Sequence, residues 1–122
     1  MRTYTIHQLN ITDEIFTAVN TLGHEGAIAK FPIWGFKMDM FLVDENFPYL
    51  TSEQIGFYHP VCTILADDLE GVFDTGNIGP EENIMRLTPR MHSVSVGDIV
   101  VNNETGEASM VASMGFIKIN FK

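Results

Sequence analysis

The side chains best suited to chemistry are four histidines (His7, His24, His59 and His92), one cysteine (Cys62), two serines beside a histidine (Ser93 and Ser95), and a crowd of carboxylates in mid-chain. No two histidines have the spacing of a His-Glu-x-x-His helix and Cys62 has no Cys-x-x-Cys partner, so a metal centre would have to be assembled in space. His24 with Glu25, and His92 with Ser93 and Ser95, are the groups a hydrolytic site would use, because an imidazole beside a hydroxyl or carboxylate can move a proton. Closeness in sequence does not set that geometry. On an alternating strand the same serines face solvent or bond nearby backbone. Cys62 lies within the apolar run from Val61 to Leu65 and reads as a small buried hydrophobe. The chain has no Gly-x-Gly-x-x-Gly and no Gly-Lys-Ser/Thr phosphate loop, so neither a cofactor nor a metal is expected.

The carboxylates carry the strongest signal. The net charge is −9, and residues 38–85 hold ten acids (Asp39, Asp44, Glu45, Glu53, Asp67, Asp68, Glu70, Asp74, Glu81 and Glu82) with no Lys or Arg. The rest of the chain has six acids and seven bases and is nearly neutral. A field of that sign repels phosphates, which argues against direct contact with nucleic acid. Asp67, Asp68, Glu70 and Asp74 fall within about two helical turns, where like charges cost a few tenths of a kcal/mol per close pair. They form either a solvated helix face or a recognition surface for a basic partner.

Elements must position these groups. Residues 4–9 read as a first strand in which Tyr4, Ile6 and Gln8 share one face and neither face is clearly wet. Asn10 or Thr12 can cap the helix that follows, Asp13 and Glu14 suit its positive end, and Ile15, Phe16, Val19 and Leu22 recur at helical spacing until Gly23 closes it. The alternation of Phe36, Met38, Met40 and Leu42 with Lys37, Asp39, Phe41 and Val43 predicts a strand. A connector with Pro48 leads to a short helical turn capped by Thr51 or Ser52, and Tyr58 to Ala66 reads as a strand. Asp67 caps a helix with the stripe Leu69, Val72 and Phe73, ended by Gly76. Asn77 to Met91 is the longest stretch without a period. Then come a strand over Ser93–Val96, a Gly97-Asp98 turn, the β-branched run Ile99–Val101, a hairpin loop at Asn102–Gly106, and strands over Ala108–Ala112 and Phe116–Phe121.

Several of these segments, in this order, are similar to YodL-like domains: Tyr4–Leu9, Leu69-Glu70-Gly71-Val72-Phe73, Pro80-Glu81-Glu82, His92-Ser93-Val94-Ser95-Val96-Gly97-Asp98-Ile99-Val100, and Val111 to Ile119 with Gly115-Phe116. The Ser-rich segment ending in Gly-Asp is the most specific of them, and Phe31 to Phe57 is longer and more aromatic than the usual pattern. The resemblance implies a setting among small phage and mobile-element proteins, sometimes near antirestriction genes, and transfers no catalytic residue.

The expected fold is a single α+β domain over residues 1–122, with two or three short helices on one side of an antiparallel sheet and a C-terminal meander or small barrel. The expected function is that of a non-enzymatic acidic protein that engages a basic host protein through Asp67, Asp68, Glu70, Asp74, Glu81 and Glu82. No stretch approaches the ~18 uninterrupted apolar residues of a membrane span, and Met1 to Thr5 lead into a strand pattern rather than a signal core, so the expected location is the cytoplasm. The alternative is a small enzyme or ligand-binding domain with a pocket that uses His92. A third reading, self-assembly into homo-oligomers, rests on Phe31, Trp34, Phe36, Phe41, Phe47 and Phe57 as aromatics beyond the needs of one small core.

Overall fold

Tyr4, Ile6 and Gln8 are buried while Thr5, His7 and Leu9 are half-buried. In the computed structural model, which describes residues 1–39, 50, 52–88, 91–112 and 115–119, that double-sided burial has a simple cause. The segment is β1 (Arg2–Leu9), a central strand with partners along both edges. After it come α1 (Asp13–Lys30), α2 (Pro32–Asp39), α3 (Ser52–Ile55), β2 (Tyr58–Ala66), α4 (Leu69–Ile78), a 3-10 turn (Glu81–Asn83), β3 (Ile84–Arg86), β4 (Ile99–Asn102), β5 (Ala108–Val111) and β6 (Phe116–Ile119). The sheet order is β3-β2-β1-β4-β5-β6 and every adjacent pair is antiparallel. This is the expected α+β arrangement, with β4 to β6 as the C-terminal meander.

Register assigns the faces. Ile6 stands opposite Cys62 on β2 and Val100 on β4, and Val100 opposite Ser109 on β5. Tyr4, Ile6, Cys62, Ile64, Val100 and Val111 therefore share one face, where Val72 of α4 and Val94 complete a core. The intervening residues Ile99, Ala108 and Met110 form a second core with Phe36 of α2 and Tyr58, backed by Leu50 and Phe57. Helices thus lie against both faces, not one. Strands that alternate apolar residues to both sides need cover on each, and burying one Ile or Met side chain contributes about 1.5–3 kcal/mol.

Thr12 caps α1, its hydroxyl accepting from the Ile15 amide at 3.4 Å, with Asp13 and Glu14 in the first turn. Gly23, at φ +73, breaks the helix as expected, but the chain re-enters helical geometry at once and runs on to Lys30. The buried stripe is Ile15, Ala18 and Ala27, whereas Phe16 and Leu22 are exposed. These residues pack with Ile33 and Trp34 of α2. The strand expected from Phe36 is overturned over residues 36–39, which belong to α2. Pro32 opens that helix, a position that wastes no amide, and helical spacing lets Trp34 meet α1 while Phe36 meets the sheet. Met40 to Tyr49, Thr51, Pro89 and Phe121 lie outside the described residues. Phe31, Trp34, Phe36 and Phe57 all serve core clusters, so these aromatics are not a surplus. No helix among the described residues is long and apolar enough to cross a membrane.

Two further expectations shift. Asp68, not Asp67, caps α4, with its Oδ1 accepting from the Gly71 amide at 2.7 Å. Residues 93–95 form no strand and Val96 belongs to the turn with Gly97, but the segment lays Val94 across α4 while Ser93 and Ser95 stay exposed. Gly76 does not end α4, which runs to Ile78 and closes at Gly79. Gly76 is where the helix meets Val94: a methyl group there would overlap Val94 Cγ2 and sit 3.1 Å from its Cβ and 3.5 Å from Ile64 Cδ1. We therefore expect Gly76→Ala to destabilise the fold by about 1–3 kcal/mol in urea unfolding. Combining it with Val94→Ala should cost less than the sum of the two single changes.

Candidate functional site

Asp67, Asp68, Glu70, Asp74, Glu81 and Glu82 are all exposed, and they follow α4 from its start to just beyond its end, an axis of about 15 Å. They are not equivalent. Asp68 is committed to capping, Asp67 lies 3.9 Å from the terminal ammonium group of Met1, and Glu81 receives Arg86 on both oxygens at 3.2 and 3.3 Å. Glu70, Asp74 and Glu82 make no ion pair among the described residues. Glu70 and Asp74 stand one turn apart and, with Phe73, border a hollow of about 380 Å³ floored by Val111, Ala112 and Phe116. Asp68 and Glu70 also border a hollow of about 490 Å³ reaching Arg2, Tyr4 and Glu107. Asp44 and Glu45 lie outside the described residues.

A second constellation centres on Gln8, which is 1% exposed on the α4 face of β1. Its Nε2 donates to Asp98 Oδ2 and to the His92 carbonyl, both at 2.9 Å, and its Oε1 accepts from the His92 amide at 3.2 Å. Both Nε2 hydrogens are then used, so the 3.2 Å approach to His92 Nδ1 is a contact without a proton in it. His92 Nδ1 lies 2.7 Å from the Ser93 carbonyl, which accepts only if Nδ1 carries the hydrogen, leaving Nε2 as the basic nitrogen. Asp98, 4% exposed, takes a second bond at Oδ2 from the Ser95 amide at 3.0 Å. The Tyr58 hydroxyl donates to the Gly97 carbonyl and fastens the same turn to β2.

His92, Ser95, Val96, Gly97 and Asp98 meet Leu9 and Lys37 around a cavity of about 240 Å³. Burial raises the Asp98 carboxyl to about 6, against the opposing pull of His92, the Ser95 amide, Gln8 and Lys37. Burial likewise pushes the Tyr58 hydroxyl up and the Cys62 thiol up to about 11, so Cys62 is the inert core residue its neighbours suggest.

The other expected participants disperse. His24 accepts from Trp34 Nε1 at 3.2 Å and stacks on the indole in the corner between α1 and α2, on a different part of the chain from His92 and the serines. Burial lowers His7, with His59 adding to it, and burial lowers His59 as well. No group of three metal-binding side chains occurs among the described residues. The structure brings His92 and Ser95 to one cavity, along with two residues that sequence reasoning passed over, Lys37 and Asp98, and places Gln8 behind Asp98 as its hydrogen-bond donor. In the sequence Gln8 stands only on a strand face that is not clearly wet, Asp98 only in a turn pair with Gly97, and Lys37 only in the alternating run from Phe36.

The raised Asp98 value predicts a pH dependence. A carboxyl that titrates near 3.8 when unfolded and near 6 when folded opposes folding once ionised; its favourable contribution is complete below about pH 4 and is lost as the pH rises through about 6. Relative to Asp98→Asn, the natural protein should therefore be about 1–2 kcal/mol better off at pH 5 than at pH 8, measured by urea unfolding of both proteins at both values. A difference that stays flat with pH would contradict the assignment. Comparison of the chain with family models, curated proteins and solved structures gives no match.

Proposed function

We propose that this chain is a non-enzymatic binding protein whose α4 face engages a basic protein partner. One observation carries the reading: Glu70, Asp74 and Glu82 stand exposed along a single helix and its following turn, and none of them makes an ion pair among the described residues. Unpaired carboxylates lose nothing of their own when a Lys or Arg reaches them, whereas Asp67 and Glu81 would first have to exchange a partner. The apolar floor beneath Glu70 and Asp74 suits the aliphatic stem of such a side chain. The resemblance to YodL-like domains supports a phage or mobile-element accessory protein acting in the host cytoplasm. The same negative face disfavours a partner made of nucleic acid.

Affinity capture from host lysate at about 50 and about 500 mM salt tests the proposal, because exposed ion pairs are screened at the higher value. The natural protein should retain a basic protein at low salt and release it at high salt, and Glu70→Lys with Asp74→Lys should lose it, while Glu53→Lys, away from α4, should not. Capture that ignores salt or survives the double charge reversal would refute the proposal.

A further inference from the structure

The cavity beside β1 holds two charges that the fold leaves unspent. Asp98 is 4% exposed, and both of its protein donors, Gln8 Nε2 and the Ser95 amide, bond the same oxygen, Oδ2. Oδ1 receives no hydrogen bond among the described residues, yet no buried side-chain oxygen or nitrogen among them is left without a partner. Oδ1 is therefore accessible rather than sealed in, and Asp98 lines the cavity. Across the same space stands Lys37 of α2, half-buried and without an ion pair among the described residues. Its charge is felt at Asp98, but the two groups do not meet in an ion pair. Opposite charges thus face one small space from separate elements and do not close on each other. Leu9 and Val96 supply apolar wall, and His92 and Ser95 stand at the polar side.

We propose that this cavity binds a small zwitterion of the amino-acid type, with its ammonium group on Asp98 Oδ1, its carboxylate on Lys37 and its carbon skeleton against Leu9 and Val96. A simple anion would satisfy Lys37 but confront Asp98, and a simple cation would do the reverse. A neutral molecule would bury both charges without compensating either, which is the costly outcome in a low-dielectric pocket. Only a ligand carrying both signs meets both walls. The volume agrees: about 240 Å³ is the space of roughly eight waters, below the range of pockets for larger ligands and suited to a molecule of similarly few heavy atoms. Preorganisation comes from the protein, since Gln8 and the Ser95 amide already fix the carboxyl plane.

Calorimetric titration of the intact chain near pH 7.5 with glycine, L-alanine, L-serine and L-valine tests the assignment. Isovalerate and isobutylamine serve as the two half-ligands of valine, each lacking one charge. At least one of the four amino acids should bind saturably. If it is valine, it should bind at least tenfold more tightly than either half-ligand. Lys37→Met and Asp98→Asn should each weaken the bound amino acid at least tenfold. Lys37 makes no hydrogen bond in the Gln8 network, so its substitution carries the test even where Asp98→Asn perturbs the fold. Absence of saturable binding by all four, half-ligands as tight as a saturably bound valine, or indifference of the bound amino acid to Lys37→Met would each overturn the proposal. None of these outcomes bears on capture of a basic protein by α4.

Discussion

The structure depends on one buried amide. Gln8 sits near the C-terminal end of the central strand with every hydrogen-bonding position it uses turned toward the segment between Met91 and Asp98: two donors to Asp98 and the His92 carbonyl, one acceptor for the His92 amide. Gly97 and Asp98 exchange backbone bonds with Val111 of β5, but residues 91–96 make none to a strand among the described residues, so side chains do for them what ladder bonds do for their neighbours. An amide so placed is strong only while it is complete. Removing it would take one of two donors from Asp98 Oδ2 and leave the His92 amide and carbonyl without their partner, a cost of about 1–3 kcal/mol for each group left unpaired.

What the amide holds, it holds for both surfaces of interest. With residues 91–98 pinned to β1, Val94 stands between the sheet and α4, where Gly76 lets the helix approach closely. Packing of this kind is what α4 needs, because its surface charges work against it. Glu70 and Asp74 repel across one turn, and the last turn carries no basic residue to offset the helix dipole. On its other side the same segment turns through Gly97 to present Asp98 to the cavity shared with Lys37. The acidic face and the small cavity are thus separate in chemistry but supported by a common strut.

Much of this fold was legible in the chain. β1, β2 and the three-strand meander followed from period-two patterns and from turn residues at Gly97 and Asn102–Gly106, and these strands lie where expected. The Thr12 cap and the Gly23 break were equally local signals. Misreadings arose where local patterns are degenerate. Phe36 to Asp39 fits both strand and helix over so few residues, and packing against two different cores decided it. β3 is three residues long inside what looked like a loop, and it exists because β2 offers it an edge. The exposed acids could be placed from sequence, but whether they found cations could not, since Arg86 and the Met1 ammonium reach Glu81 and Asp67 through the fold. The Gln8–Asp98 bond joins residues ninety positions apart, and no local rule announces it.

Amide hydrogen exchange under native conditions, comparing the natural protein with Gln8→Leu, tests the strut most directly. The account predicts that protection at Ser95 and at Val72 in α4 falls at least tenfold more than protection at Cys62 and Ile64 in β2, because the 91–98 segment and the helix it supports open as a unit while the strand pairing stays closed. A uniform change across all four amides, or unchanged protection at Ser95 and Val72, would contradict it.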